Sequence, residues 1–314
     1  MLAREKEITF YLLQKYKINF IELPSHKKTI LKKLINYVYK WFKIYQICKQ
    51  VKPDVSLGAG DFILPQISKL LNFRSIVFTD IESVFHDSFL TFPFTSTIIT
   101  PESYKGELGK KHIKINSYKE LAYINDKFTP DKSVLKVMGI NKNDKYIVLR
   151  FVSHSAMHDI KYKGITNGLK IQITDILSKY CKIFISSEEP LPDKLKKYQI
   201  NIGQERIHSV LYYAALLYGE SSTMAAESAL MGTPAIFFDN NSRGYTQEIE
   251  SESGLLFNFK GKKELQLSLI KSIDIIQSDT PKRQWLQKRN SLLLAKDDIS
   301  NAIVEILTIS EINA

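Results

Sequence analysis

Residues 214–238 read AALLYGESSTMAAESALMGTPAIFF, and this stretch decides the fold. An apolar run ends at Gly219, small hydroxyl residues stand where a helix would begin, and Gly232-Thr233-Pro234 opens a second apolar run. Short apolar runs bounded by turn residues predict buried strands, so the unit reads as strand, tight turn, helix, turn, strand. The first turn of such a helix presents backbone N–H groups without intrahelical partners, together with the positive end of the macrodipole, which suits a phosphate. Ser221, Ser222 and Thr223 add hydroxyl donors at that end. Glu227 follows about one turn deeper, where a carboxylate can accept from the two hydroxyls of a ribose. The same residues also suit a plain N-cap, a common helix former and an ordinary exit turn, so local chemistry leaves both readings open.

Working outward, residues 146–153, 181–187 and 254–259 read as further strands, alternating with helices. Strand and helix in alternation imply a parallel sheet, with ligands at the carboxyl ends of its strands. The earlier part repeats the pattern: short strands at 53–57, 75–78 and 96–100, with a helix at 62–71 between the first two. Ahead of these, residues 1–4 read as the tail of a strand, 5–17 as a helix and 18–23 as a strand. Between 119 and 145 the pattern loosens into a polar connection with Pro130, Gly139 and the run NKNDK. The expected organisation is two Rossmann-type domains facing a cleft, over 1–129 and 130–314. Helices at 281–294 and 297–309 close the chain, the last expected to pack back on the first domain.

The chain's 314 residues suffice for two domains with cores of their own. Hydrophobic content of 44% with 25% charge is globular in character. Cys48 and Cys181 are the only cysteines, which excludes a disulfide framework and a zinc cluster and fits a reducing cytoplasm. There is neither an apolar run of membrane-spanning length nor a signal-peptide profile. Net charge is +11, but the Lys residues read as spread through the chain and no nucleic-acid-binding motif occurs, so no nucleic-acid partner is expected. The segment 27–52, KKTILKKLINYVYKWFKIYQICKQVK, has apolar Ile30, Leu34, Val38, Trp41, Phe42 and Tyr45 at helical spacing among many lysines. It reads either as a core-packed helix with a solvated Lys face or as a helix lying on an anionic membrane surface.

Three groups stand at loop ends where chemistry belongs: Asp61 after a Gly, Glu82 after a strand, and His154 after the first strand of the second domain. Carboxylates and imidazole are the right types for acid/base work, though each also suits a cap, a solvated turn or a loop histidine. His154, His158 and Asp159 offer too few ligands to complete a tetrahedral metal site. Arg150 supplies positive charge at a strand end, Ser187 and Glu188 sit at the next, and Asn240 and Arg243 follow the strand after the central helix. Gly-x-Gly-x-x-Gly, P-loop and Gly-x-Ser-x-Gly patterns are absent, which argues against dinucleotide redox, P-loop and α/β-hydrolase chemistry.

A Ser/Thr-rich turn, a Glu one turn later and a Leu-x-Gly-x-Pro exit resemble the nucleotide-sugar motif of GT-B-fold proteins. More closely, AREKEIT, ITPESYKGELGKK, KELAYI, VLRFVSHSAMHDIKYKG, IFISSE and the 220–234 stretch resemble an uncharacterised prokaryotic family of GT-B-like proteins, DUF354-type. That resemblance implies an N-terminal acceptor or acid/base domain over 1–129 and a nucleotide-sugar domain over 130–314. It also implies a diphosphate held at Ser221, Ser222 and Thr223, a ribose at Glu227, and a nucleotide-sugar site completed by Arg150, Ser187, Glu188, Asn240 and Arg243, with 202–208 lining the base pocket. Asp61, Glu82 and His154 are similar in order and context to the catalytic groups of the non-hydrolysing UDP-N-acetylglucosamine 2-epimerases. The sequence departs from that pattern after the strand, where His154-Ser155-Ala156-Met157-His158-Asp159 stands in place of the epimerase run. In the families it resembles, one strand-helix unit precedes the point where this chain begins, so the reading expects an abridged first domain with exposed sheet edges. The implied function is a GT-B-type glycosyltransferase using a UDP-sugar in surface-polysaccharide synthesis. A 2-epimerase and a non-catalytic nucleotide-sugar-binding protein are the alternatives. UDP-sugar enters as substrate, with no metal and no other cofactor expected. A lipid-linked or glycan acceptor, peripheral membrane contact through 27–52 and a homo-oligomer complete the expected partners.

Overall fold

The computed structural model describes residues 1–4, 9–24, 30–60, 62–82, 89–141, 144–153, 164–240, 243–278 and 280–308. The chain forms two compact units. Unit 1 comprises Met1–Thr79, Ser83–Thr100 and Gly106–Lys114; unit 2 comprises Asp80–Glu82, Pro101–Lys105 and Ile115–Ala314.

In unit 1, β1 (Leu2–Arg4), α1 (Thr9–Lys15) and β2 (Ile21–Leu23) form a parallel two-stranded sheet, with Leu2 opposite Ile21. The helix α2 (Ile30–Val51) leads to β3 (Val55–Ala59), α3 (Ile63–Leu71), β4 (Arg74–Phe78), β5 (Thr97–Pro101) and β6 (His112–Ile115), whose strands lie in the order β3-β4-β5-β6. β3 and β4 pair in parallel with Val55 opposite Arg74, and β4 and β5 with Ile76 opposite Thr97. Apolar spacing on α2 and α3 brings Ile44, Cys48, Ile63 and Ile67 into one buried cluster, with Tyr37, Trp41 and Tyr45 packed on it.

Unit 2 continues with α4 (Ser133–Val137), β7 (Tyr146–Phe151), α5 (Asn167–Leu177), β8 (Lys182–Ser187), α6 (Asp193–Lys196), α7 (Ile207–Tyr213), β9 (Leu216–Gly219), α8 (Ser222–Leu230), β10 (Ala235–Phe238), α9 (Gly244–Ser253) and β11 (Leu256–Phe259). Then come α10 (Leu265–Gln277), α11 (Lys282–Leu293) and α12 (Ile299–Thr308). Its five strands lie in the order β11-β10-β9-β7-β8, parallel at every junction. Alternation along β7 sends Tyr146 and Val148 into one core and Ile147, Leu149 and Phe151 into the other. Both faces are therefore covered, which is why the strands read as unbroken apolar runs. The decisive stretch supplies the central strand β9, its neighbour β10 and the helix between them, and every residue of α8 from Met224 to Leu230 is buried.

The net charge is not spread evenly. Unit 1 carries 17 Lys and Arg against 7 Asp and Glu, a net +10, whereas unit 2 carries 27 against 26. The basic residues run through both units, as read from the sequence; the difference in net charge comes from Asp and Glu, which gather in unit 2.

Candidate functional site

The site is built in unit 2 around the first turn of α8. Ser221 is the N-cap, in extended backbone, and its side chain accepts from Met224 N at 3.2 Å. One orphan N–H is thereby used, and the half-buried Ser222 and Thr223 remain at the helix end. The turn is tight because β7 and β9 approach closely at Gly219. A Cβ there would lie 2.3 Å from the Arg150 carbonyl oxygen, which only glycine avoids. Glu220 N donates to that same carbonyl at 3.1 Å, and the Glu220 carboxylate accepts from Ile165 N.

Glu227, 7% exposed, holds its expected place one turn deeper. Tyr123 donates its hydroxyl to Glu227 Oε1 at 2.8 Å, and His208 Nε2 lies 3.2 Å from the same oxygen. The Tyr123 and His208 rings are 5.6 Å apart, with the Phe128 ring edge-on to His208 at 6.2 Å. Burial, and after it the Glu227 carboxylate, push the Tyr123 phenol well above its ordinary range. The carboxylate is thus oriented through one oxygen and flanked by an aromatic wall.

Arg150 ends β7, where its Nη1 donates to Ser186 Oγ at 2.9 Å and its Nη2 to Glu188 Oε1 at 2.5 Å. Glu188 Oε2 accepts from Ser153 N at 2.9 Å and Ser153 Oγ at 3.0 Å, which ties the carboxyl ends of β7 and β8 together. Ser187 Oγ donates to Glu189 O at 2.7 Å within the strand-exit turn. Asn240 is exposed, its Oδ1 close to Gly261. Arg243 caps α9 and is 6% exposed, yet its Nε and Nη1 are buried with no hydrogen-bond partner among the described residues. A buried guanidinium with unmet donors calls for an anionic or carbonyl acceptor.

Glu82 Oε1 accepts from Gly244 N at 2.9 Å and from Lys105 N at 3.4 Å. A carboxylate at the positive end of α9 is a favourable cap. Asp61 and His154, the other two expected acid/base groups, lie outside the described residues, as do His158 and Asp159. Among the described residues no group of three or more His, Cys, Asp or Glu is placed to hold a metal.

A second polar cluster was not assembled from the sequence. Lys119 pairs with Asp80 and lies 3.7 Å from Glu120 Oε1, and its Nζ stands 5.8 Å from the centre of the Tyr245 ring. Burial pushes the Glu120 carboxyl, 1% exposed, up to about 7, against the opposing pull of the Lys119 ammonium. Burial drives the Lys119 ammonium down, but the Glu120 and Asp80 carboxylates outweigh it and hold its pKa above the usual value. Lys119-Glu120 opens the KELAYI stretch, read as polar connection. Its partners stand 39 and 126 positions away, at Asp80 and Tyr245, beyond the reach of any local pattern.

A doubly wound parallel sheet with an N-capped helix after its central strand, in a chain with a second parallel sheet, is the architecture of a GT-B-like fold. The UDP-GlcNAc 2-epimerase from Neisseria meningitidis, solved bound to UDP-GlcNAc, superposes with a TM-score of 0.66 at 13% identity, covering 98% of this chain and 90% of that one. The glycotransferase of kitacinnamycin superposes at 0.57 and 8% identity, covering 96% and 90%. At such identities the likeness is one of fold. The family described as "Protein of unknown function (DUF354)" matches residues 2–286, and the chain belongs to it. The uncharacterized protein MJ0665 of Methanocaldococcus jannaschii is 26% identical over 231 residues, which span 68% of this chain and 65% of that protein.

Proposed function

We propose that this chain binds a UDP-sugar at α8 and acts as a GT-B-type glycosyltransferase in glycoconjugate synthesis. The observation that carries the reading is the Ser221-capped first turn of α8 at the end of the central strand, where Ser222 and Thr223 stand half-buried, together with the buried Arg243 guanidinium and its unmet donors. In the proposed complex the diphosphate lies on the helix end and the ribose hydroxyls meet Glu227. An acceptor oxygen bonds to the anomeric carbon as the bond to the diphosphate breaks. The electron pair leaves on the diphosphate oxygen, where helix N–H groups, the Ser222 and Thr223 hydroxyls and Arg243 stabilise it without a metal. A carboxylate takes the acceptor proton, and Asp61 is the sequence's candidate for it.

A 2-epimerase is the second reading, supported by the fold likeness to the UDP-GlcNAc 2-epimerases and by the order and context of Asp61, Glu82 and His154 in the sequence. The two readings separate when the chain is incubated with UDP-GlcNAc in deuterated water without acceptor and the sugar is followed by NMR. Deuterium at C2 establishes the epimerase. UDP binding without exchange removes the epimerase, and transfer of the sugar in an acceptor screen then distinguishes the transferase from a non-catalytic binder. Failure to bind UDP overturns both readings.

A further inference from the structure

The helix α2 buries one face and leaves a second apolar face in water. Ile44 and Cys48 are buried against α3, whereas Ile35 is 61% exposed, Val38 45%, Tyr39 58% and Phe42 58%. Spacings of three and four place these exposed side chains within about 100° of arc, a stripe about 10 Å long. Contiguous apolar surface of this kind marks an interaction site on a soluble fold.

Its electrostatic setting is one-sided. Between Leu23 and Pro53 the sequence holds eight lysines and neither Asp nor Glu. Helical spacing puts Lys43, whose Nζ donates to the Glu22 carbonyl oxygen at 2.7 Å, on one flank of the stripe and Lys49 beyond Phe42 on the same line. This helix lies in the unit that carries +10 of the chain's +11.

We propose that this face of α2 docks on the surface of an anionic phospholipid bilayer. Ile35, Val38, Tyr39 and Phe42 enter the interface between headgroups and acyl chains while the lysines meet the lipid phosphates. Contact is peripheral, since no helix among the described residues is long and apolar enough to cross a membrane. A second copy of the chain fits less well, because pairing two such faces sets the lysines of one against those of the other. A nucleic acid offers phosphates but nothing apolar for the stripe. The inference does not rest on the nucleotide-sugar reading.

The test is co-sedimentation of the full chain with vesicles of phosphatidylcholine alone or mixed with phosphatidylglycerol. The wild type pellets with the mixed vesicles and not with phosphatidylcholine, and added salt weakens it. Each Lys contributes about a five-fold gain near an anionic surface, so Lys49→Gln lowers partitioning roughly five-fold. Ile35→Ser with Phe42→Ser, both at exposed positions and checked for retained circular dichroism, lowers it at least about ten-fold. Wild type that stays in the supernatant, or a serine variant that pellets like wild type, overturns the proposal. So does a wild-type dimer that the serine variant dissolves without vesicle binding, or a DNA duplex that displaces vesicles and binds the serine variant equally well.

Discussion

Glu82→Ala separates a structural carboxylate from a chemical one. In the structure Glu82 Oε1 satisfies Gly244 N at 2.9 Å and reaches Lys105 N at 3.4 Å. Removing it leaves the first N–H of α9 without its charged acceptor at a place where Gly244 is itself buried. Losing a charge-assisted bond and stranding a buried donor costs about 1.5–3 kcal/mol, and the lost interaction with the helix end adds roughly 0.5–1. For a unit of about 200 residues, 2–4 kcal/mol lowers the melting temperature by roughly 5–12 °C. Glu82→Gln keeps a carbonyl acceptor at the same reach and loses only part of this. Scanning calorimetry of the two variants, with hydrogen exchange read at Gly244, measures the effect. A Glu82→Ala protein that melts with the wild type refutes the capping argument. A Glu82→Gln protein that keeps its melting temperature but loses turnover a hundred-fold shows instead that the charge is used chemically.

Glu120→Gln should remove a pH dependence. The folded carboxyl holds its proton to about 7 while the unfolded one releases it near 4.5, so its contribution is full below pH 4.5 and is lost as pH rises to about 7. Over that window the wild type should lose roughly 3 kcal/mol relative to the variant in urea titrations. Gly219→Ala places a Cβ 2.3 Å from the Arg150 carbonyl oxygen, and neither backbone can yield; a loss above about 2 kcal/mol, or insoluble protein, is expected. Tyr123→Phe removes the 2.8 Å donor to Glu227 and costs about 1 kcal/mol. Calorimetric titration should then show UDP weakened by roughly five-fold and pyrophosphate, which has no ribose, unchanged.

The α/β plan was legible because β9 and β10 are buried on both faces and so read as unbroken apolar runs between Gly and Pro. The strand β6, HIKI, escaped notice because two of its four residues are exposed, leaving no continuous apolar signal. Around α8 the local grammar of cap, first turn and deeper Glu carried real information. The rest depends on distant pairs. The bond from Gly244 to Glu82 spans 162 positions and that from Tyr123 to Glu227 spans 104, separations that a sequence period cannot report. The helix α2 shows the same limit, since its periodicity is satisfied twice over and only packing reveals which apolar face is covered.

The central claim is that the first turn of α8 holds a diphosphate. Calorimetric titration of wild type and Ser222→Asp with UDP and with uridine tests it directly, because an added carboxylate at the helix end repels a phosphate and leaves a nucleoside little affected. The account predicts that wild type binds UDP at least about ten-fold more tightly than uridine, and that Ser222→Asp abolishes this preference. Equal binding of UDP by both proteins, or none by wild type, would contradict it.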